Sequence, residues 1–223
     1  MRELEFKRQE AQSGNTKSVV IFLHGYGADG ADLLGLANPL AAHMPDTTFY
    51  APDAPERPAM APMGRQWFSI PWIDGSSEED SAAGLERASE DLNAFIDIVL
   101  QAEEITPSEL ILLGFSQGTM MALHVAPRRE FKMAGVVGFS GRLLAPERLE
   151  ADFITRPPIL LLHGDQDDVV PISSLSEAGD ALQAAGFDTY AHVMEGTAHG
   201  IAEDGLSVAL TFMRQMLKYD NPQ

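Results

Sequence analysis

Cysteine is absent from this 223-residue chain, and that gap closes several routes at once. Disulfides, thiolate metal sites and a cysteine nucleophile are all excluded. Cations are scarce: 15 Lys and Arg stand against 33 Asp and Glu, a formal net charge of −18. A field of that sign repels polyanions, so neither a nucleic-acid partner nor stable membrane association is expected. No apolar run approaches the ~18 residues that would span a bilayer. The opening residues, MRELEFKRQEAQSGNTK, lack the apolar core of a signal peptide, so the expected location is cytoplasmic. Tryptophan occurs only twice, and both copies fall in one proline-rich stretch.

What is present reads as a globular protein, with 45% hydrophobic and 22% charged residues. Four short runs, SVVIFL (18–23), LILLGF (110–115), AGVVGF (134–139) and PILLL (158–162), do not alternate with polar residues. Strands buried on both faces have this pattern, which predicts a mainly parallel sheet covered by helices. ELEFKR (3–8) and TYAHVM (189–194) alternate more and suit sheet edges, and TTFYAP (47–52) is a further strand candidate. Helical spacing appears in Leu85, Ala88, Leu92, Phe95, Ile96 and Val99, and again in Leu206, Leu210, Met213 and Leu217. Ser174 and Glu177 have capping-box spacing and predict a helix start there. The alternation gives an α/β class with right-handed crossovers. Residues 52–80 break the rhythm with five prolines and both tryptophans, the style of a lid or binding loop. Nothing suggests a linker, so residues 1–223 are expected to form a single domain.

The chemistry starts at Gly114-Phe115-Ser116-Gln117-Gly118, a G-x-S-x-G pentapeptide between a strand signal and a helical stretch. That setting is a nucleophile elbow, whose turn is too tight for side chains at the flanking positions. A serine hydroxyl attacks only when a base takes its proton. Of six histidines, His199 in EGTAHGI is best placed, in a loop between the last strand candidate and the C-terminal helix. The base needs a carboxylate at its other ring nitrogen. The stretch HGDQDDVVP (163–171) offers Asp165, Asp167 and Asp168 in the chain order Ser…Asp…His. Local physics does not separate the three. An EF-hand reading from Asp165 fails, because its sixth and twelfth positions hold Val170 and Ser176 rather than Gly and Glu. Oxyanion donors are expected from the amide of Gln117 and from the glycine-rich loop LHGYGADG (23–30).

The segments FLHGYGADG, GFSQGT, LLLHGDQDDVVP and GTAHGI resemble the signature stretches of the phospholipase/carboxylesterase family of α/β-hydrolases. RQWFSI and EEDSAAGLERA resemble its lid-loop and following-helix segments. The resemblance runs from about Ser18 to Met216. It implies Ser116 as nucleophile, His199 as base, Asp167 as the acid four residues after His163, and the amides of Gln117 and Tyr26 as the oxyanion hole. It also implies that Trp67 lines the acyl side of a pocket, with Met60 and Met63 as adaptable apolar neighbours. Core or interface packing accounts for those methionines equally well. The chain departs from the family's usual residues at Tyr26, Ser69, Thr119 and Thr197, none of them in the triad.

The expected activity is hydrolysis of carboxylic esters, or thioesters, of short to medium acyl chains through an acyl-enzyme on Ser116. Lysophospholipid or acyl-protein hydrolysis is an alternative. A non-catalytic binding role is a further one, disfavoured by the intact Ser, His and Asp. The expected partner is a small-molecule ester, and no metal or organic cofactor is required. Family members often form dimers, which raises the expectation of a homodimer.

Overall fold

The computed structural model describes residues 2–58, 61 and 63–219. Its centre is a seven-stranded sheet of β1 (Phe6–Gln9), β2 (Ser18–Leu23), β3 (Thr47–Pro52), β4 (Leu110–Phe115), β5 (Gly135–Phe139), β6 (Ile159–Gly164) and β7 (Thr189–Met194). Their order is β1-β3-β2-β4-β5-β6-β7. Only β1 runs antiparallel, against β3; every other pair is parallel. The apolar runs of the sequence therefore became the central strands, and the two alternating runs became the two edges.

Strand alternation splits the core into two layers. Val19, Ile21, Leu23, Leu110, Leu112, Val136, Ile159 and Leu161 face one side. Val20, Phe22, Phe49, Ile111, Leu113, Val137, Phe139, Leu160 and Leu162 face the other. The helices divide accordingly. α1 (Gly30–Leu34), α2 (Ala37–Ala41) and, after the short α3 (Pro71–Asp74), α4 (Glu78–Ala102) precede the middle of the sheet. α5 (Gln117–Val125), α6 (Leu149–Asp152), α7 (Ser173–Ala184) and α8 (Glu203–Met216) follow. The first layer takes Ala88, Leu92, Phe95, Ile96 and Val99 of α4, with apolar residues of α5 and α7. The second takes Leu33, Leu40 and Ala41 of α1 and α2, with Ala209, Phe212 and Met213 of α8. Burying a side chain such as Phe22 or Leu112 completely is worth about 1.5–3 kcal/mol.

Local signals explain several starts. Ser77 caps α4, its Oγ accepting from the Asp80 N–H at 3.0 Å, and three acidic residues fill the first turn, as the helix dipole favours. A capping box does occur, but at Asp29 and Asp32 on α1. The one expected at Ser174 and Glu177 does not form. α7 begins at Ser173 with Ile172 at its cap and no side-chain cap bond. Ser174 lies inside that first turn and is buried, so its side chain packs rather than caps. Among the described residues, no helix is long and apolar enough to cross a membrane.

Candidate active site

The loops at the C-terminal ends of β2, β4, β6 and β7 carry the residues singled out above. Ser116 sits between β4 and α5 with φ 53° and ψ −115°, a left-handed backbone that costs a non-glycine residue about 1–3 kcal/mol. The glycines two positions to either side make the turn feasible. A Cβ on Gly114 would lie 2.4 Å from the Gly118 carbonyl carbon, and one on Gly118 would lie 1.8 Å from the Leu23 oxygen. The Ser116 N–H donates to the Phe139 carbonyl at 2.8 Å, and Thr119 Oγ1 donates to the same oxygen at 2.8 Å. The strained serine is thus anchored to the end of β5.

His199 and Asp167 meet across the β6 and β7 loops, with Nδ1 2.7 Å from Oδ2. The Asp167 side chain is fully buried. Its other oxygen, Oδ1, accepts the N–H groups of Val169 at 2.9 Å and Val170 at 2.8 Å. Burial pushes the carboxyl pKa up. The hydrogen bond to His199 and the two backbone N–H groups outweigh that and hold it below the ordinary 3.8. The carboxylate is therefore ionised at neutral pH and fixes the tautomer of the ring. The loops are also tied directly, the Gln166 N–H donating to Thr197 O at 3.0 Å. His199 in turn lies against Phe115, with ring centroids 4.9 Å apart. Among the described residues, Ser116 Oγ and His199 share no hydrogen bond; catalytic bonds of this kind often tighten only once substrate is bound.

The other two aspartates stand apart. Asp165 and Asp168 are both exposed. The turn is tied down by Asp167, whose Oδ1 takes both backbone bonds. Asp165 points to solvent, and only its backbone N–H is engaged, with Met194 O at 3.3 Å.

Gln117 opens α5, where the first amides have no partner within the helix, and the helix dipole adds positive character there. The loop bearing Tyr26 is pinned by its neighbours. Gly27 N–H donates to Arg65 O at 2.8 Å, and Arg65 N–H donates to Ala28 O at 2.8 Å. These bonds leave the Tyr26 amide uninvolved. Burial raises the Tyr26 hydroxyl pKa above 10, with the Asp74 charge adding to the effect.

The pocket assignments fare differently. Trp67 is fully buried. Its Nε1 donates to His24 O at 3.0 Å and its backbone N–H to Gln117 Oε1 at 2.9 Å. These bonds tie it to the loop after β2 and to the residue after the nucleophile. Met63 is 91% exposed and projects into solvent, so it lines nothing. Met60 lies outside the described residues.

Three supporting roles were not read from the sequence. The Gln117 side chain is completely buried, and besides accepting from Trp67 its Nε2 donates to Phe68 O at 2.7 Å. His24 is buried, with Nε2 accepting the Ala54 N–H at 2.9 Å and Nδ1 2.8 Å from Gly25 O. Burial lowers its pKa, so it stays neutral as a strut. His163 Nε2 lies 2.8 Å from Val170 O and 3.3 Å from Asp167 Oδ2, bracing the turn of the acid. The available signal was shared: both histidines stand in a His-Gly pair at a strand's end. Among the described residues, no group of three or more His, Asp and Glu side chains is placed to hold a metal ion.

Comparison with known proteins agrees with this architecture. A solved structure, esterase PE8, superimposes with a TM-score of 0.92 at 40% identity, over 97% of this chain and 100% of that one. Acyl-protein thioesterase 1 of Saccharomyces cerevisiae is 31% identical over 94% of this chain and 97% of its own length. Esterase YpfH of Escherichia coli is 28% identical over 89% of this chain and 82% of its own length. The model of the phospholipase/carboxylesterase family matches residues 6–217, and with the sheet order and the strained serine turn this places the chain in that family of α/β-hydrolases.

Proposed function

We propose that the protein is a serine hydrolase that cleaves carboxylic esters through an acyl-enzyme on Ser116. The observation that carries the reading is the 2.7 Å contact between His199 Nδ1 and the buried Asp167 carboxylate, beside a serine held on a strained elbow. Ser116 Oγ attacks the ester carbonyl as His199 Nε2 takes its proton. The tetrahedral oxyanion is received by the amides of Gln117 and Tyr26. His199 then gives the proton to the departing alkoxide oxygen as the C–O bond breaks. Water attacks the acyl-enzyme, its proton passing to His199 and from there to Ser116 Oγ as the carboxylic acid leaves.

Thioester cleavage uses the same steps, and the yeast relative's name supports it as a second reading. The net charge of −18 supports a small-molecule partner over nucleic acid, and the continuous sheet supports one domain. A homodimer rests on the family resemblance alone. A fluorophosphonate probe tests the central reading. Wild type should be labelled and Ser116→Ala should not. A folded wild type that resists labelling overturns it.

A further inference from the structure

A cavity of about 250 Å³ lies between the loop after β2 and the loop that carries the histidine. Gly25, Ala28 and Leu33 line it from one loop and helix, and Phe115 and Ile201 from the other elements. It adjoins the reacting groups on two counts. A Cβ on Gly25 would lie 3.3 Å from Ser116 Cβ. Phe115 immediately precedes the nucleophile, with its ring 4.9 Å from that of His199, and Ile201 follows the base by two residues. Of the polar side chains of the lining, buried His24 has both ring nitrogens engaged, while Asp32 is exposed and brings a carboxylate to the rim. The His24 nitrogens face Gly25 O and Ala54 N–H, and the Asp32 carboxylate accepts the Asp29 N–H at 3.3 Å.

The chemistry decides which half of an ester this cavity receives. The carbonyl oxygen must face the amides of Gln117 and Tyr26. The departing oxygen must face His199, because that imidazole gives it the proton taken from Ser116. A cavity bounded by the residue before the nucleophile and by the chain just past the base adjoins the departing side. We infer that this cavity is the leaving-group subsite and selects esters of uncharged, apolar alcohols of benzyl or medium-chain alkyl size. The inference rests on the serine-hydrolase reading and narrows its substrate class. An apolar cavity of roughly 150 Å³ holds benzene, so this one takes a somewhat larger group. An anionic or strongly hydrated alcohol would shed water there against apolar walls and the Asp32 carboxylate, which costs free energy.

Butanoate esters with the alcohol varied isolate this site, because all of them form the same acyl-enzyme and differ only in acylation. Ethyl, hexyl and 2-(2-methoxyethoxy)ethyl butanoate compare length and polarity. In the wild type, kcat/KM for the hexyl ester should exceed that for the ethyl ester by about tenfold or more, and should also exceed that for the diether. Ile201→Trp and Ala28→Phe, which fill the cavity from opposite elements, should each collapse the preference. Absence of a hexyl preference in a wild type that labels with fluorophosphonate overturns the subsite. So does a preference that survives in both variants while both remain folded by circular dichroism. Failure of the wild type to label instead brings down the hydrolase reading, and the subsite with it.

Discussion

Asp167 does two jobs with one carboxylate. One oxygen orders the turn through the Val169 and Val170 amides, and the other holds His199. Asp167→Asn can keep the first job, since the amide oxygen still accepts, but its NH2 group would favour the wrong imidazole tautomer. The expected result is a folded protein whose kcat on p-nitrophenyl acetate drops by roughly 10⁴. Asp165→Asn and Asp168→Asn should stay close to wild type in both turnover and urea midpoint, since both side chains are exposed. The family's four-residue offset from His163 singled out Asp167. Nothing local in DQDD did, because the difference between the three is one of direction, set by where the β6 turn points each side chain. The burial of Trp67 and the exposure of Met63 were not legible for a related reason. Composition shows that a side chain is apolar, but only the tertiary path of 52–80 shows whether it ends inside, outside or at a pocket wall.

The elements themselves were far more legible. β2, β3 and β4 coincide with the runs read from the sequence, because strands buried on both faces leave little polar interruption, and β7 coincides through the alternation of an edge strand. Short α3 and α6 have no signal in the sequence, being four residues long and too brief to show a 3.6-residue period. The polar join between α5 and the proline-rich segment was invisible too, since it runs through the Gln117 side chain. Gln117→Ala would strand the Trp67 N–H and the Phe68 carbonyl in a dry interior. At ~1–3 kcal/mol for each unpaired buried group, stability should fall by about 2–4 kcal/mol, read as a lower urea midpoint. An unchanged midpoint would show that the segment is held by its apolar contacts instead.

For the whole molecule, the response to acid has a definite sign. Burial, aided by the charge of Arg128, pushes His124 on α5 from 6.5 down to about 4. The unfolded chain takes up that proton as pH falls through 6.5, while the folded chain does not until about pH 4. The stability associated with neutral His124 is therefore complete above pH 6.5 and is lost progressively as pH falls toward 4. Between pH 7 and pH 4.5 this loss amounts to roughly 2–3 kcal/mol. Urea unfolding of wild type and His124→Gln at the two pH values should show the variant losing less by that amount. Equal losses would place the acid sensitivity in other groups, buried His24 and the carboxylates among them.

The sheet order has a kinetic side as well. β2 lies between β3 and β4, so strands distant in sequence must meet before the Tyr26 loop can stand beside Ser116, and β6 and β7 must be in place before Asp167 can reach His199. No short stretch of the chain holds these four residues together. Turnover regained during refolding is then a clock for completion of the sheet, and it should lag any probe that reports only the early formation of helix.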